Sequence, residues 1–330
     1  MNENRALVYC AGGGIGDSLI ASLVARALRQ RYSVVDALTL PGHRSTLEHV
    51  RDIDEVLVDE GENESELSAK LTTRRYDACV VTWATARTAK VPYLAKIPVR
   101  VGQARRLYSW QFTNRVNIRS ESGDTTSHWS DIQLDYARAL NCDLPIEQRI
   151  PNFSISHEDE AEAYSVTGDF ILLHTTNAIA AERGIWPVQG WIELASVLHE
   201  EYGVPVLLTG TNADRPVIDA IIQGAPDAVS LAGALGIGGF AALAKRAKVV
   251  VGMGTGTLHV AGVVGAATVA LFPMQSDFPE RWCPLGERVR VVRASYPCYP
   301  GDTKETCADY ACIANLPVKA ILATVRELTG

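Results

Sequence analysis

Residues 248–259 read Lys-Val-Val-Val-Gly-Met-Gly-Thr-Gly-Thr-Leu-His, and this stretch decides the fold class. Its short apolar run is typical of a buried strand, and the glycines and threonines after it predict a turn and the start of a helix. Residues 6–17 repeat the arrangement as Ala-Leu-Val-Tyr-Cys-Ala-Gly-Gly-Gly-Ile-Gly-Asp. A strand joined to a helix by a glycine-rich turn is typical of parallel α/β sheets, and each half of the chain contains one.

Apolar strands alternate with helical patterns around both units. The further predicted strands are 34–40, 56–58, 77–82, 99–101, 170–174, 204–208, 268–272 and 289–292. The predicted helices are about 131–140, the residues after Pro187, 237–247 and about 317–328. This alternation predicts an α/β protein of two Rossmann-like domains, whose parallel sheets face a central cleft.

The domains are expected at 1–150 and 151–330, joined by a linker at 141–152 that has two prolines and no clear period. The last helix is expected to pack back towards the first domain. Ligands of such sheets bind beyond the carboxyl ends of the strands, so both glycine turns are candidate sites.

Composition and charge exclude several classes of protein. The net charge of −7 argues against a nucleic-acid binder. Residues 249–276 carry no charged side chain, but their glycines favour a buried strand–turn–helix–strand over a membrane span. The first residues show no secretion leader, and seven cysteines are typical of reduced thiols, so a cytoplasmic location is expected. A zinc site at Cys298, Cys307 and Cys312 is the less favoured alternative, because no Cys-x-x-Cys pair is present.

The first glycine turn does not match the dinucleotide-binding pattern, since Asp17 stands where its third glycine is required. Asp17 has two interpretations. It either caps the first turn of a helix, or it is the general base of a reaction with an acceptor bound near Gly14 and Gly16.

The second turn has the features of an anion site. Free backbone amides, hydroxyls and a helix N-terminus suit a diphosphate, although a glycine turn can also serve tight packing alone. Arg183 either neutralises a leaving phosphate or is a solvated surface residue. The candidate residues of the turn are Gly254, Thr255, Gly256, Thr257 and His259.

Residues 78–120 contain eight basic side chains and no Asp or Glu. This run predicts either an anionic acceptor or membrane surface as partner, or simply a solvated face. The candidate acceptor-binding residues within it are Arg87, Arg100, Arg105 and Arg106. Asp52-Ile53-Asp54, which is similar to a metal-binding acidic pair, is interpreted as a loop, and no metal site is predicted.

Taken together, these motifs resemble glycosyltransferase family 9, the heptosyltransferase-like enzymes. The resemblance runs nearly end to end. It rests on the following segments: 14–17, 76–77, 98–102, the helix at His128, 174–176, Trp186-Pro187, 231–233, 254–259 and the cysteine-containing tail before the last helix.

The resemblance implies a GT-B fold and inverting, metal-independent transfer without a cofactor. The implied donor is a nucleoside-diphosphate sugar such as ADP-heptose. The implied acceptor is a surface glycan or glycolipid of the lipopolysaccharide-core type. Contact with the cytoplasmic face of the inner membrane is expected to be peripheral and to run through the basic residues 78–120. Asp17 matches the family's catalytic aspartate, the 255–259 loop its donor site, and Thr175 or Thr176 its diphosphate turn.

Two positions depart from the family pattern. Gly254 stands where the family often has aspartate, and Gly184 stands where it usually has lysine, with Arg183 beside it. Both departures concern donor recognition. They fit one alternative function, a catalytically degenerate nucleotide- or glycan-binding protein. The other alternative is a nucleotide-sugar 2-epimerase, an enzyme with a GT-B-like fold.

Overall fold

The computed structural model describes residues 4–175, 186–274, 278–296, 306–308 and 310–330. The chain forms two compact units, Met1–Ser154 and Ile155–Gly330. Each unit has its own sheet and its own apolar core.

The first unit contains a six-stranded, wholly parallel sheet within the described residues, in the order β3-β2-β1-β4-β5-β6. Its strands are β1 (Arg5–Cys10), β2 (Val34–Thr39), β3 (Val56–Val58), β4 (Ala78–Val81), β5 (Val99–Gln103) and β6 (Asn114–Val116). Its helices are α1 (Ile15–Leu28), α2 (Arg44–Glu48), α3 (Glu64–Arg74), α4 (Ala86–Leu94) and α5 (Trp129–Arg138). The strand β1 is central and almost wholly buried, as its uninterrupted apolar sequence predicts.

The second unit repeats the plan with a parallel sheet in the order β12-β11-β10-β7-β8-β9. Its strands are β7 (Ile171–His174), β8 (Val206–Thr209), β9 (Ala228–Ser230), β10 (Val250–Met253), β11 (Thr268–Leu271) and β12 (Val289–Val292). Its helices are α6 (His157–Ala163), α7 (Val188–Tyr202), α8 (Arg215–Gly224), α9 (Ile237–Arg246), α10 (Gly256–Val263), α11 (Pro279–Trp282), α12 (Ala311–Ala314) and α13 (Val318–Thr329).

The core of the second unit is built around two tryptophans. Trp186 and Trp191 meet edge to face with ring centroids 4.7 Å apart, and both are buried. The Trp186 indole N–H donates to the carbonyl of Leu316 at 3.3 Å, which fixes the chain entering α13. The helix α13 packs on α7 and β12, and Arg326 forms an ion pair with Glu201 of α7. Trp186 therefore has a packing role in this unit.

The uncharged stretch 249–276 folds, over its described residues, as β10, α10 and β11. This is the buried strand–turn–helix–strand that its glycines predict. None of the helices in the described part of the chain has the length and apolar character needed to cross a bilayer.

Residues 139–154 are held against the first unit as a strap. Arg26 of α1 donates to the Ile150 carbonyl at 2.9 Å, and Phe153 pairs with Val50 through an isolated antiparallel bridge. Arg149 forms an ion pair with Asp131 of α5 at 2.7 Å. The proline-containing segment expected as a linker is thus docked over most of its length, and the division between the units follows Ser154.

Burial holds the thiol of Cys10 in its neutral form. Burial raises the pKa of Cys10 to about 12. Cys10, Cys79 and Cys142 are buried free cysteines of the first unit, whereas Cys298 lies outside the described ranges.

Candidate functional site

Because every described strand pair is parallel, each sheet gathers its carboxyl ends on one edge, and the loops at that edge hold most of the predicted site residues. In the first unit these loops follow β1, β4 and β5. In the second unit they follow β7 and β10, which are neighbours in the sheet.

Asp17 occupies the first turn of α1. Its Oδ2 accepts a hydrogen bond from the Gly14 amide at 2.8 Å, and its side chain is half-buried. In a capping box, the side chain at the third helical position accepts a hydrogen bond from the N-cap amide, and Asp17 makes this bond. The structure therefore shows Asp17 in the helix-capping position. A carboxylate has about four acceptor sites, so the bond orients Asp17 and leaves it able to accept a proton. Gly14 is exposed at this turn, whereas Gly16 is buried within α1.

His43 is a neighbour of Asp17 that the sequence did not single out. Its Nδ1 lies 2.9 Å from the Ser18 hydroxyl. Burial lowers the pKa of His43, against the opposite influence of the Asp17 carboxylate. Because the lowered pKa favours the neutral imidazole of His43, the charged side chain of this pair at the first glycine turn is Asp17.

Trp83 is a second residue that the sequence did not single out. It follows β4, and its indole lies directly on Gly12: a Cβ at position 12 would be 2.1 Å from the indole Cδ1. Only glycine fits beneath the ring, which explains the residue at this position. Trp83 is 39% exposed, so an aromatic face borders the Asp17 turn.

Arg87 forms an ion pair with the buried carboxylate of Asp59. Its Nε donates to Asp59 Oδ2 at 2.9 Å, and the hydroxyl of Tyr9 also donates to that carboxylate. Burial alone would raise the pKa of Asp59, but the hydrogen bonds from Arg87 and Tyr9 outweigh burial and the pKa is lowered. Since Asp59 stays charged, the guanidinium of Arg87 has a structural partner.

The other basic candidates divide by position. Arg100 lies near the amino end of β5, away from the edge with the glycine turn, and donates to the carbonyls of Ile97 and Gln111. Arg106 lies just beyond the carboxyl end of β5 and forms an ion pair with Glu121. Arg105 is exposed beside it and forms no ion pair with any described residue. Of these candidates, Arg105 and Arg106 share the edge with Asp17, and only Arg105 is uncompensated.

The second glycine turn has a threonine at the N-cap of α10. Thr255 is the N-cap residue, yet its hydroxyl makes no capping bond, and Thr255 Oγ1 is a buried oxygen without a hydrogen-bond partner in the described chain. The amides of Gly256 and Thr257 occupy the first two helical positions, where no intrahelical acceptor exists. An unpaired hydroxyl beside two such amides is suited to an anion.

Thr175 adds a second unpaired hydroxyl to this edge. It follows β7 directly, is buried, and its Oγ1 has no partner among the residues that the structure describes. His174 before it bonds Thr209 Oγ1 through Nδ1 at 3.0 Å, while its Nε2 is buried and unpartnered. Burial lowers the pKa of His174 to about 4, so this imidazole is neutral near pH 7.

Gly254 lies against an aromatic ring. A Cβ at this position would be 2.7 Å from Phe272 Cζ. The space that an aspartate side chain would need here is therefore occupied by Phe272, which gives a physical reason for the glycine. His259 is buried near the start of α10.

Thr176 and Arg183 lie outside the described residues, and so does Gly184. Within the described ranges, no group of three or more His, Cys, Asp or Glu side chains is arranged to hold a metal ion.

The sequence and the fold are similar to those of known proteins. The model of the family described as glycosyltransferase family 9 (heptosyltransferase) matches residues 65–311. The chain is 26% identical over 305 residues to lipopolysaccharide heptosyltransferase 2 of Escherichia coli strain K12, covering 84% of this chain and 85% of that protein.

Solved structures share the fold over nearly the whole chain. The E. coli ADP-heptose lipopolysaccharide heptosyltransferase II superposes with a TM-score of 0.81 at 20% identity, covering 98% of both chains. A family 9 glycosyltransferase from Veillonella parvula gives 0.78 at 16% identity, covering 99% of both. The α/β architecture expected from the sequence, the GT-B fold, is confirmed.

Proposed function

The chain belongs to glycosyltransferase family 9, and on that premise we propose that it transfers heptose or a related sugar from a nucleoside-diphosphate donor to a surface-glycan acceptor. One observation carries the proposal. The edge of the second sheet holds two buried hydroxyls without partners, Thr175 Oγ1 and Thr255 Oγ1, beside the amides of a helix N-terminus. Buried polar groups without partners are costly, so such a cluster indicates a ligand that completes it.

The donor diphosphate is assigned to this cluster. The amides of Gly256 and Thr257 would donate to its oxygens, as would the hydroxyls of Thr175 and Thr255, and the α10 N-terminus favours its negative charge. The similar E. coli protein is an ADP-heptose heptosyltransferase, which favours ADP-heptose as the donor here. Thr176, Thr257, His259 and Arg183 remain candidate donor contacts on the family resemblance.

Asp17 is proposed as the general base of an inverting displacement. An acceptor hydroxyl attacks the anomeric carbon, its proton passes to the Asp17 carboxylate, and the bond from the anomeric carbon to the diphosphate oxygen breaks. The electron pair of that bond leaves with the nucleoside diphosphate. The Gly14 amide holds the carboxylate in one orientation, which reduces the entropy cost of the proton transfer.

Neither a metal nor a resident cofactor is part of this proposal, because amides, hydroxyls and a helix N-terminus can meet the charge of the leaving diphosphate. The acceptor is proposed to be a lipopolysaccharide-core type glycan, reached at the cytoplasmic membrane face. Its anionic groups would meet the exposed Arg105.

Nucleotide binding tests the donor assignment. Thermal unfolding is measured with ADP, GDP, UDP, CDP and dTDP, each with and without EDTA. We expect one diphosphate, ADP on the family resemblance, to raise Tm, and EDTA to leave that shift unchanged, since ligands that bind only the folded state stabilise it. No shift with any nucleotide, or a shift that EDTA removes, would contradict the metal-independent donor site.

An Asp17→Asn variant tests the base. Asparagine keeps an oxygen for the Gly14 amide, so α1 stays capped while the proton acceptor is lost. We expect kcat for sugar transfer to fall by about 10²–10⁴-fold, with the ADP affinity within a few-fold of the wild-type value. Asp159→Asn is the matched control, because Asp159 makes the same capping-box bond to Ser156 at the start of α6. Equal kcat values for the Asp17 variant and the wild type would remove Asp17 from the mechanism.

The two alternatives give different results in the same assays. A 2-epimerase releases nucleoside diphosphate from the donor without an acceptor. A degenerate binding protein binds the nucleotide but turns over no donor, and Asp17→Asn changes nothing in it.

A further inference from the structure

The first unit contains a cavity of about 310 Å³ at the carboxyl ends of β4, β5 and β6. Its volume is at the lower end of the range for small-molecule sites, about 300–1,000 Å³, which suits one sugar ring better than an oligosaccharide. Aromatic and polar side chains share its walls. They are Thr82, Trp83, Gln103, Arg106, Glu121, Trp129 and Tyr136, with Ala84, Ile118 and Ser120.

The cavity adjoins the proposed base. Its wall residue Trp83 packs on Gly12, two residues before Gly14, whose amide orients Asp17. An acceptor sugar resting on the indole would therefore lie next to the turn that carries the catalytic carboxylate.

The charges at this cavity cancel. Arg106 forms an ion pair with Glu121, and the Gln103 amide also donates to Glu121 Oε1 at 2.6 Å. Other arginines of the basic run are paired with carboxylates away from the cavity. Arg87 forms an ion pair with Asp59, and Arg119 forms ion pairs with Asp131 and Asp135. A cationic pocket for a carboxylate or phosphate is therefore absent from this part of the described chain, although the sequence is rich in arginine here.

Aromatic faces beside a few paired polar groups fit an uncharged sugar. A pyranose ring has an apolar C–H face, which gains from contact with an indole, and hydroxyls that exchange hydrogen bonds with amides and carboxylates. Trp83 lines the cavity and is 39% exposed, and Gln103 and Glu121 supply donors and acceptors.

We propose that this cavity binds one uncharged pyranose residue of the acceptor, with Trp83 as the stacking platform and Gln103 and Glu121 as hydroxyl partners. The inference rests on the proposed function, because it treats the ligand as the glycosyl acceptor. The anionic groups of that acceptor lie outside the cavity, where Arg105 is exposed.

Fluorine NMR of the full chain labelled with 5-fluorotryptophan tests the proposal directly. The probes are methyl glucoside, methyl mannoside and methyl galactoside, with methyl glucuronide as the anionic counterpart at the same concentration. We expect at least one neutral glycoside to shift the Trp83 and Trp129 resonances and the glucuronide to shift them at least fivefold less. Trp110, which is exposed beyond the cavity, is the internal control and stays unshifted.

Variant kinetics give a second measurement. Trp83→Ala should raise the acceptor KM at least tenfold and leave the ADP-induced rise in Tm unchanged, whereas Trp110→Ala should leave both unchanged. If ADP stabilises the protein but no neutral glycoside moves Trp83, or the glucuronide moves it as strongly, the subsite assignment is wrong and the donor site stands. If no nucleotide binds but neutral glycosides shift Trp83, the proposed transferase function fails and the sugar site stands.

Discussion

His174 shows how burial sets the protonation state of a residue at the donor edge. It is the last residue of β7, and its Nδ1 is held by Thr209 while Phe240 packs on its ring at 5.4 Å. Burial lowers the pKa of His174 to about 4. A neutral imidazole adds no charge of its own to this edge, so a ligand bound there would meet the amides and hydroxyls.

The low pKa of His174 makes stability depend on pH. Between about pH 4 and 6.5 the unfolded chain binds a proton at this residue and the folded protein does not, so stability falls as pH decreases through that range. We expect His174 to account for about 2 kcal/mol of stability lost between pH 7 and pH 5. In His174→Asn, urea unfolding should lack this part of the pH dependence.

His157→Asn is the control for that measurement, because His157 on α6 is fully exposed. It should unfold with the wild-type pH dependence. If His174→Asn also retains the wild-type dependence, the imidazole is not held neutral by the fold.

At the residue scale, the sequence revealed chemical types but not their partners. The glycine turns and Asp17 were recognisable because their spacing is local. The hydrogen bond from Arg87 to Asp59 connects residues 28 positions apart in the chain. The packing of Trp83 on Gly12 depends on β1 and β4 being neighbours in the sheet. Such pairings follow from strand order, which no local pattern contains.

At the element scale, the strap is held to α5 by a network of charges. Asp131 pairs with Arg119 at 2.6 Å, Arg138 at 2.6 Å and Arg149 at 2.7 Å. Burial alone would raise the pKa of Asp131, but the hydrogen bonds from Arg138 and Arg119 outweigh burial and lower it. One carboxylate thus joins the loop before α5, the helix itself and the strap.

Loss of that carboxylate should loosen the strap. Asp131→Asn leaves three guanidinium groups without a shared anion, so we expect the free energy of unfolding to fall by about 1–3 kcal/mol in low salt. The loss should shrink at 1 M NaCl, because the partners are about one-third exposed and salt screens them. Urea unfolding at both salt concentrations measures the effect.

The matched control is Glu48→Gln, which removes a single exposed ion pair with Arg44 on α2. We expect it to cost at most about 1 kcal/mol. If both variants lose the same free energy of unfolding, the shared carboxylate of Asp131 stabilises the protein no more than a single exposed ion pair does.

Three of the elements that the sequence did not predict, β6, β9 and α3, bury few apolar side chains. The strands β6 and β9 have three residues each and lie at sheet edges, where few apolar side chains are needed. The helix α3 is rich in charge and buries only Leu67, Ser68 and Leu71. Apolar periodicity reports buried elements well, which is why the central strands β1 and β10 were predicted close to their observed bounds.

At the scale of the whole molecule, the two units carry different halves of the proposed chemistry. The Asp17 turn and the Trp83 cavity belong to the first unit, and the Thr175 and Thr255 hydroxyls belong to the second. Each set stands on its own sheet with its own apolar core.

This division predicts where a bound nucleotide slows hydrogen exchange. With saturating ADP, we expect added protection at the start of α10 and around Thr175, and unchanged exchange in the loop after β5. Thr255→Ala should weaken ADP binding about tenfold, because it removes one hydrogen bond to a charged group, and should reduce the protection accordingly. Added protection confined to the first unit would contradict the donor assignment.

The contact between Trp83 and Gly12 also constrains how this protein can change over generations. A side chain at position 12 cannot appear while the indole lies on it, since the new Cβ would be 2.1 Å from the ring. A descendant must first replace the tryptophan and only then the glycine. Once both have changed, regaining the tryptophan requires the glycine to return first. The two positions are therefore inherited as one unit, although 70 residues lie between them in the chain.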